Sequence, residues 1–455
     1  MNITGAIRFL GRQLPRPLRP GSSRRERAYR DTLRFLRKSD SWTRDELDRY
    51  QLCALNDLLI RARVHVPGHA RKLASLPSAP FRSLEEIAHL PFLTKDELRR
   101  DSQSFVSDDL PAEQLQTITS GGTTGLPTVF AAERDAYDGI FDACRHAMWE
   151  RVGYRAGAPT LDLTASLAVP LGELPDYGSG RHYLSISHLT PDAVPFWQRK
   201  LAQLDPEFLV GFPSTASVLA RLLGRRRPFT RLRALILASE VLQPDQRTEL
   251  EHFFGCRVFC WYGMSELAGF ACGCEHADTY HFLPQTGVVE VIDDSGRPVR
   301  DPGGKGEIVL TGFLNRATPF IRFRTGDNAT LGEPCPHCHR PHPIISQIEG
   351  RRQDFLIGAN GRVIPLSALN FHGTEFSRVL AHQFIQHHPG FVTLRIVPLA
   401  EFDPADKEVI AALIAAKLGA DVSLTIELVA EIPRTPRGKH PVIVRTCTAA
   451  AAIPT

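Results

Sequence analysis

The sequence contains no uninterrupted apolar run near the ~18 residues a membrane-spanning helix needs, so no transmembrane segment is expected. It also lacks an amino-terminal apolar core of the secretory kind. It shows no internal repeat and, before its alanine-rich last residues, no low-complexity tract. Cysteine is sparse: nine in 455 residues, an odd number, do not make a small-domain disulfide framework. Thiols that are free or on metal in a reducing, cytoplasmic compartment are expected instead. The Gly-Lys-Ser/Thr ending of a nucleoside-triphosphatase P-loop is missing too, because Leu126 follows the last glycine of the Gly/Ser/Thr-rich loop. Acids are nearly absent from the start of the chain. Between Met1 and Arg30 eight arginines stand against the single Glu26, and Pro15, Pro17, Pro20 and Gly21 interrupt any long helix. Residues 1–30 are therefore expected to form a basic, flexible arm. The whole chain carries only +4, and no nucleic-acid partner is expected.

What is present is ordinary globular composition, 43% hydrophobic and 23% charged, in a chain long enough for two or three domains. From Tyr50 to Val66, Leu52, Leu55, Leu58, Leu59 and Ala62 fall on one helical face before Pro67-Gly68 stops it. Thr94 followed by Glu97 reads as a capping box opening a short helix. Arg134 to Arg151 reads as a helix, and Phe208 to Ser214 as an apolar strand running into a turn and a further helix through Leu223. Leu232 to Ala238 is a second apolar strand, ending in Ser239-Glu240, and Gly287 to Ile292 reads as one arm of a hairpin turning at Asp294-Ser295-Gly296. Such alternation of strand and helix argues for an α/β fold with mostly parallel sheets, whose ligands gather at the carboxyl ends of strands.

Five stretches carry chemistry. Thr119-Ser120-Gly121-Gly122-Thr123-Thr124-Gly125-Leu126-Pro127, directly after the strand-like Leu115-Gln116-Thr117-Ile118, packs three glycines and four hydroxyls into a loop suited to grip an anion with backbone N–H groups. Tyr262-Gly263-Met264-Ser265-Glu266 breaks an aromatic strand into a hydroxyl and a carboxylate, and beside a triphosphate that carboxylate would hold Mg²⁺. Arg322-Phe323-Arg324-Thr325-Gly326-Asp327 presents an acid after a tight turn, suited to ribose hydroxyls. Pro433-Arg434-Thr435-Pro436-Arg437-Gly438-Lys439 offers a lysine on a proline-stiffened loop. Finally, Cys335-Pro336-His337-Cys338 is a knuckle, with Cys272, Cys274, His276 and His281 upstream and His339 beside it. Thiolates and imidazole at such spacings make a closed tetrahedral zinc site.

In this order the motifs resemble those of the adenylate-forming superfamily, which includes acyl-CoA synthetases, peptide-synthetase adenylation domains and luciferases. The chain looks most like the phenylacetate-CoA ligases and the capsular-polysaccharide proteins grouped with them. The resemblance implies a large α/β domain over residues 31–352 and a small, mobile α+β lid over residues 353–455. It implies that Ser120, Gly121, Gly122, Thr123, Thr124 and Gly125 hold phosphate, with Ser239, Glu240 and Gly263 in the same nucleotide site. Tyr262 would stack on adenine, Ser265 meet phosphate, Asp327 bind ribose and Arg351 reach ribose or phosphate. Thr123, Glu266 (carrying Mg²⁺) and Lys439 form the catalytic set. Among the cysteines and histidines it selects Cys274, His281, Cys335 and Cys338 for structural Zn²⁺. Gln353 departs from the usual hinge residue, and Leu126 stands where many members carry lysine.

The implied reaction joins ATP and a small-molecule carboxylic acid, aryl or fatty, into an acyl-AMP with release of pyrophosphate. The acyl group then passes to a thiol, CoA in the first instance. A carrier-protein thiol or an amine is the alternative acceptor, and a non-catalytic, zinc-stabilised nucleotide-binding protein is the alternative of another class; a homodimer is the candidate assembly. Phe141, His182, Tyr183 and Phe212 are conceivable acyl-pocket residues.

Overall fold

The computed structural model describes residues 23–76, 80–119, 128–164, 180–185, 189, 193–224, 228–351, 355–360, 363–365, 376, 378–433 and 441–447. Its elements run α1 (Ser23–Ser39), α2 (Arg44–His65), α3 (Pro67–Leu73), α4 (Lys95–Arg100), β1 (Leu115–Thr119), β2 (Val129–Glu133), α5 (Ala136–Trp149), β3 (Thr160–Thr164), β4 (Arg181–Ser185), α6 (Val194–Leu204), β5 (Phe208–Gly211), α7 (Pro213–Leu223), β6 (Ala234–Ala238) and α8 (Pro244–Phe254). They continue as β7 (Arg257–Gly263), β8 (Phe270–Cys272), β9 (Tyr280–Phe282), β10 (Gly287–Ile292), β11 (Lys305–Gly312), β12 (Phe323–Leu331), β13 (Ile344–Arg351), β14 (Phe355–Ile357), β15 (Val363–Pro365), β16 (Val379–His388), β17 (Phe391–Pro398), α9 (Pro404–Leu418), β18 (Ser423–Leu428) and β19 (Ile443–Arg445). Two compact units result, one of residues 15–156 and 259–349, the other of 157–258 and 350–455 with the first 14 residues.

The first unit opens on α1, and here the expectation of a flexible arm through residue 30 fails from Ser23 onward. The arginines that suggested an unstructured segment find acids instead. Arg24 donates to Glu133 at 2.8 Å, Arg25 to Asp142 at 3.0 Å, and the Tyr29 hydroxyl meets His146 Nδ1 at 2.8 Å, all against β2 and α5. Leu33 and Leu36 are buried on the same helix, which turns a basic stretch into an amphipathic one. Helix α2 starts earlier than its apolar stripe predicts, at a Thr43–Glu46 capping box, and buries Leu47, Leu55, Leu59 and Ala62. The Thr94–Glu97 box is present as read: Glu97 N–H donates to Thr94 Oγ1 at 3.2 Å, and Thr94 N–H to the Glu97 carboxylate at 2.8 Å.

In this unit the strands pair antiparallel where their register is defined: β10 with β11, β11 with β12, β13 with β9, β9 with β8 and β8 with β7. The expected parallel pairing runs through the second unit, where β4 pairs with β3, β3 with β5 and β5 with β6, each parallel. Each residue of β6 is buried, the near-continuous apolar run of a strand covered on both faces. The carboxyl-terminal part of that unit is the sheet β18-β17-β16-β19 under α9, with Phe384, Leu394, Ile410, Ile414 and Leu418 in its core. Arg221 of α7 donates to the carbonyls of Val379 and, at 3.2 Å, Leu380, tying that sheet's β16 to the α7 layer. Among the described residues no helix is long and apolar enough to cross a membrane.

Candidate functional site

In the first unit the site is built where β12 leaves its register with β11. Glu307 faces Asn328 and Val309 faces Arg324, so Thr325, Gly326 and Asp327 share the single partner residue Ile308. Such a bulge re-aims a side chain out of the ladder. Gly326 occupies it at φ +77°, a conformation that favours glycine. The Thr325 hydroxyl donates to the Ile308 carbonyl at 2.7 Å and accepts the Asp327 N–H at 3.0 Å. The Tyr262 hydroxyl, at the end of β7, donates to Asp327 Oδ2 at 2.8 Å. Burial, reinforced by the negative Asp327, pushes the Tyr262 phenol well above its ordinary pKa, so it remains a donor at neutral pH.

The chain turns sharply after Tyr262, with Leu267 at φ +57° and its N–H returning to the Met264 carbonyl at 3.1 Å. Tyr137 of α5 fixes that turn by donating its hydroxyl to the Ser265 carbonyl at 2.9 Å. Glu266 sits inside it, only 4% exposed. In the second unit, Ser239 follows β6 at φ +71°, a strained position for a non-glycine residue, of a kind that clusters at functional sites. The Glu240 carboxylate accepts Ser214 N–H at 2.9 Å and Ser214 Oγ at 3.0 Å, so this side chain caps α7.

The metal set is gathered as the resemblance implies. Among the described residues Cys274, His281, Cys335 and Cys338 bring one ligand atom each within 4.8 Å of all the others. Cys274 Sγ lies 3.9 Å from Cys335 Sγ, and Cys338 Sγ lies 3.8 Å from His281 Nδ1. Bonds of about 2.3 Å to sulfur and 2.0 Å to nitrogen around a tetrahedral ion require edges of roughly 3.5–3.8 Å, close to these two separations. Burial lowers His281 to about pKa 4, with Arg151 and Arg340 adding to the effect, which keeps the imidazole neutral. Burial opposes ionisation of Cys335 as well, but hydrogen bonds from the N–H groups of Cys338 and His337 and from the Cys338 and Cys274 side chains together outweigh it and its pKa falls. Of the competing candidates, Cys272 is buried outside the set, and His276 contributes its backbone N–H to Cys274 Sγ at 3.3 Å.

Ser120, Gly121, Gly122, Thr123, Thr124, Gly125, Gln353 and Lys439 lie outside the described residues, and of Arg351 only the backbone, at the end of β13, is described. Of the conceivable acyl-pocket residues, Phe141 packs edge-on against Trp261 and Phe270, Tyr183 is buried in β4, and Phe212 precedes α7. Sequence reasoning missed Tyr137 and Glu307, whose roles arise from contacts across the fold.

A mixed α/β chain with a strained strand end and an acid presented on a bulge beside a tyrosine has the make-up of a nucleotide-binding enzyme. More narrowly, the chain belongs to the AMP-binding enzyme family, whose sequence model matches residues 83–315; residues 356–446 match the CapK C-terminal domain. It is 29% identical over 360 residues to the phenylacetate-coenzyme A ligase of Escherichia coli (strain K12), covering 74% of this chain and 78% of that one. It is 26% identical over 380 residues to protein CapK of Staphylococcus aureus, covering 78% and 80%. Its fold is similar to that of a 2-hydroxyisobutyryl-CoA ligase solved in the postadenylation state with R3-HIB-AMP, at TM-score 0.72 and 20% identity over 90% of this chain and 92% of that one.

Proposed function

We propose that the protein joins ATP and a carboxylic acid into an acyl-adenylate and then transfers the acyl group to the thiol of CoA. Family membership supplies the class, and the observation that carries the reading onto this chain is the hydrogen bond that joins Tyr262, at the end of β7, to Asp327 on the β12 bulge. In this reading the Tyr262 ring lies against adenine and Asp327 accepts the ribose hydroxyls. The phosphate loop, Ser120 to Gly125, holds the polyphosphate with its N–H groups and hydroxyls. A carboxylate oxygen of the acid attacks the α-phosphorus, the bond to pyrophosphate breaks, and Lys439 stabilises the charge that develops. AMP then leaves as the thiol attacks the acyl carbon.

Glu266 is the residue to hold Mg²⁺, which neutralises phosphate oxygens when bound. Cys274, His281, Cys335 and Cys338 would hold Zn²⁺ as a structural cross-link, since no position is left open for a substrate. The cytoplasm, which keeps thiols reduced and supplies ATP and CoA, suits both. A carrier-protein thiol or an amine is the alternative acceptor.

The test is carboxylate-dependent exchange of pyrophosphate into ATP over a panel of aryl and fatty acids, with Lys439→Ala beside the wild type. Exchange with one acid class, lost in the variant, supports the reading. Folded, metal-loaded protein that is silent across the panel refutes it. Adding CoA, hydroxylamine or a carrier protein to the active mixture then assigns the acceptor.

A further inference from the structure

The bulge that presents Asp327 is not held by its strand alone. Its central N–H, on Gly326, has left the β11 ladder, and the Glu307 side chain takes its place. Glu307 Oε1 accepts the Gly326 N–H at 2.8 Å, while Oε2 accepts Arg324 Nε at 2.8 Å and Nη2 at 2.5 Å. The residue is 7% exposed. On the other side, Lys95 at the start of α4 donates to the Thr325 carbonyl, and its ammonium lies 6.0 Å from the Phe323 ring centroid. One carboxylate therefore holds both the last residue in register before the bulge and the tip of the bulge, and the N–H groups of Gly326 and Asp327 are both bonded inside it.

We propose that Glu307 is a positioning residue for nucleotide binding, setting the orientation of Asp327 through the Gly326 N–H and the Arg324 guanidinium. This inference rests on the reading of Asp327 as the ribose acceptor. Glu307 touches no substrate. It acts by making the bulge a single conformation, so that Asp327 meets both ribose hydroxyls without first being ordered. A buried N–H that loses its charged acceptor is costly to leave unmet, and the loop rearranges to find another partner. Asp327 then points elsewhere and ribose recognition is lost, while the adenine face of Tyr262 and the phosphate contacts remain.

The predicted signature is discrimination among sugars. Pyrophosphate exchange is followed with ATP, 2′-deoxy-ATP and 3′-deoxy-ATP for wild type, Glu307→Ala, Glu307→Gln and Asp327→Ala, each checked for folding by circular dichroism. The wild type prefers ATP. Glu307→Ala lowers kcat/KM for ATP about tenfold, mostly through KM, and brings its preference for ATP over the deoxy analogues close to that of Asp327→Ala. Glu307→Gln is isosteric but sets an NH₂ against the Arg324 donors, and it shows an intermediate preference. Should the alanine variant not fold, the glutamine variant decides alone, because unchanged sugar preference in it overturns the proposal. If Asp327→Ala erases the preference and neither Glu307 variant alters it, only this inference falls. If Asp327→Ala itself keeps the preference, the ribose reading of Asp327 falls and this inference with it.

Discussion

Removing the Arg322 guanidinium should loosen the sheet that carries Asp327, by an amount its surroundings fix. Arg322 Nε reaches the Glu290 carboxylate at 3.0 and 3.2 Å and Nη2 at 2.8 Å, while Nη1 donates to the carbonyls of Ala88 and Leu90, both at 2.8 Å. The side chains are 3% and 7% exposed, and the guanidinium lies 4.3 Å from the centroid of the Phe92 ring. Arg322→Met therefore strands a buried carboxylate, which costs about 3–5 kcal/mol. The double variant Arg322→Met/Glu290→Met removes that charge and should recover about 2 kcal/mol of the loss. A deficit of about 1–3 kcal/mol remains, because the two carbonyls still lack their donor. With two compact units the whole chain need not unfold in one step, so the assay is hydrogen exchange of the amides in β10 and β12, read as local opening free energy. A single variant that costs less than ~1 kcal/mol, or a double variant no better than the single, would show that the pair is not the buried cross-link described here.

Three further outcomes are expected. Displacing thiol-bound metal with a mercurial should release one zinc per chain, none from Cys335→Ser, with β9 and β13 losing exchange protection; metal-free wild type with full protection would contradict the cross-link. Burial lowers His69, whose Nε2 meets the Pro319 carbonyl at 2.8 Å, from 6.5 to about 4, so the unfolded chain takes up this proton first as pH falls. Stability from the neutral imidazole is whole above pH 6.5 and declines towards pH 4 by about 3 kcal/mol, and His69→Gln should flatten that part of the curve; parallel curves would refute it. Gly139→Ala would place a Cβ 2.3 Å from the Arg25 carbonyl, pushing α1 off α5, so limited proteolysis should cut within residues 23–39 in the variant and spare them in the wild type.

How much was legible depended on the range over which each signal acts. The Thr94–Glu97 box is written within four residues and was found where it was read. The cysteine knuckle is equally local, and the resemblance supplied its distant partners Cys274 and His281. Strands β5 and β6 announced themselves as apolar runs, but periodicity marks a strand without naming its neighbour, so of the antiparallel pairing from β7 to β13 only the hairpin that begins with β10 was in the sequence reading. The amino-terminal arm misled because eight arginines were weighed as free charge, whereas Arg24 and Arg25 are spent on Glu133 and Asp142, more than a hundred residues away. Glu307 was invisible for a related reason. Its partner Gly326 is reached only through a shift in register between two strands, and nothing local signals that shift beyond the Thr-Gly-Asp itself.

The central claim is that the acid's own oxygen attacks the α-phosphorus of ATP. Turnover with an acid labelled with ¹⁸O in its carboxylate tests this directly by mass spectrometry of the products. The account predicts one labelled oxygen in the phosphate of AMP and none in pyrophosphate. Label in inorganic phosphate with ADP formed, or AMP without label while thioester accumulates, would contradict it.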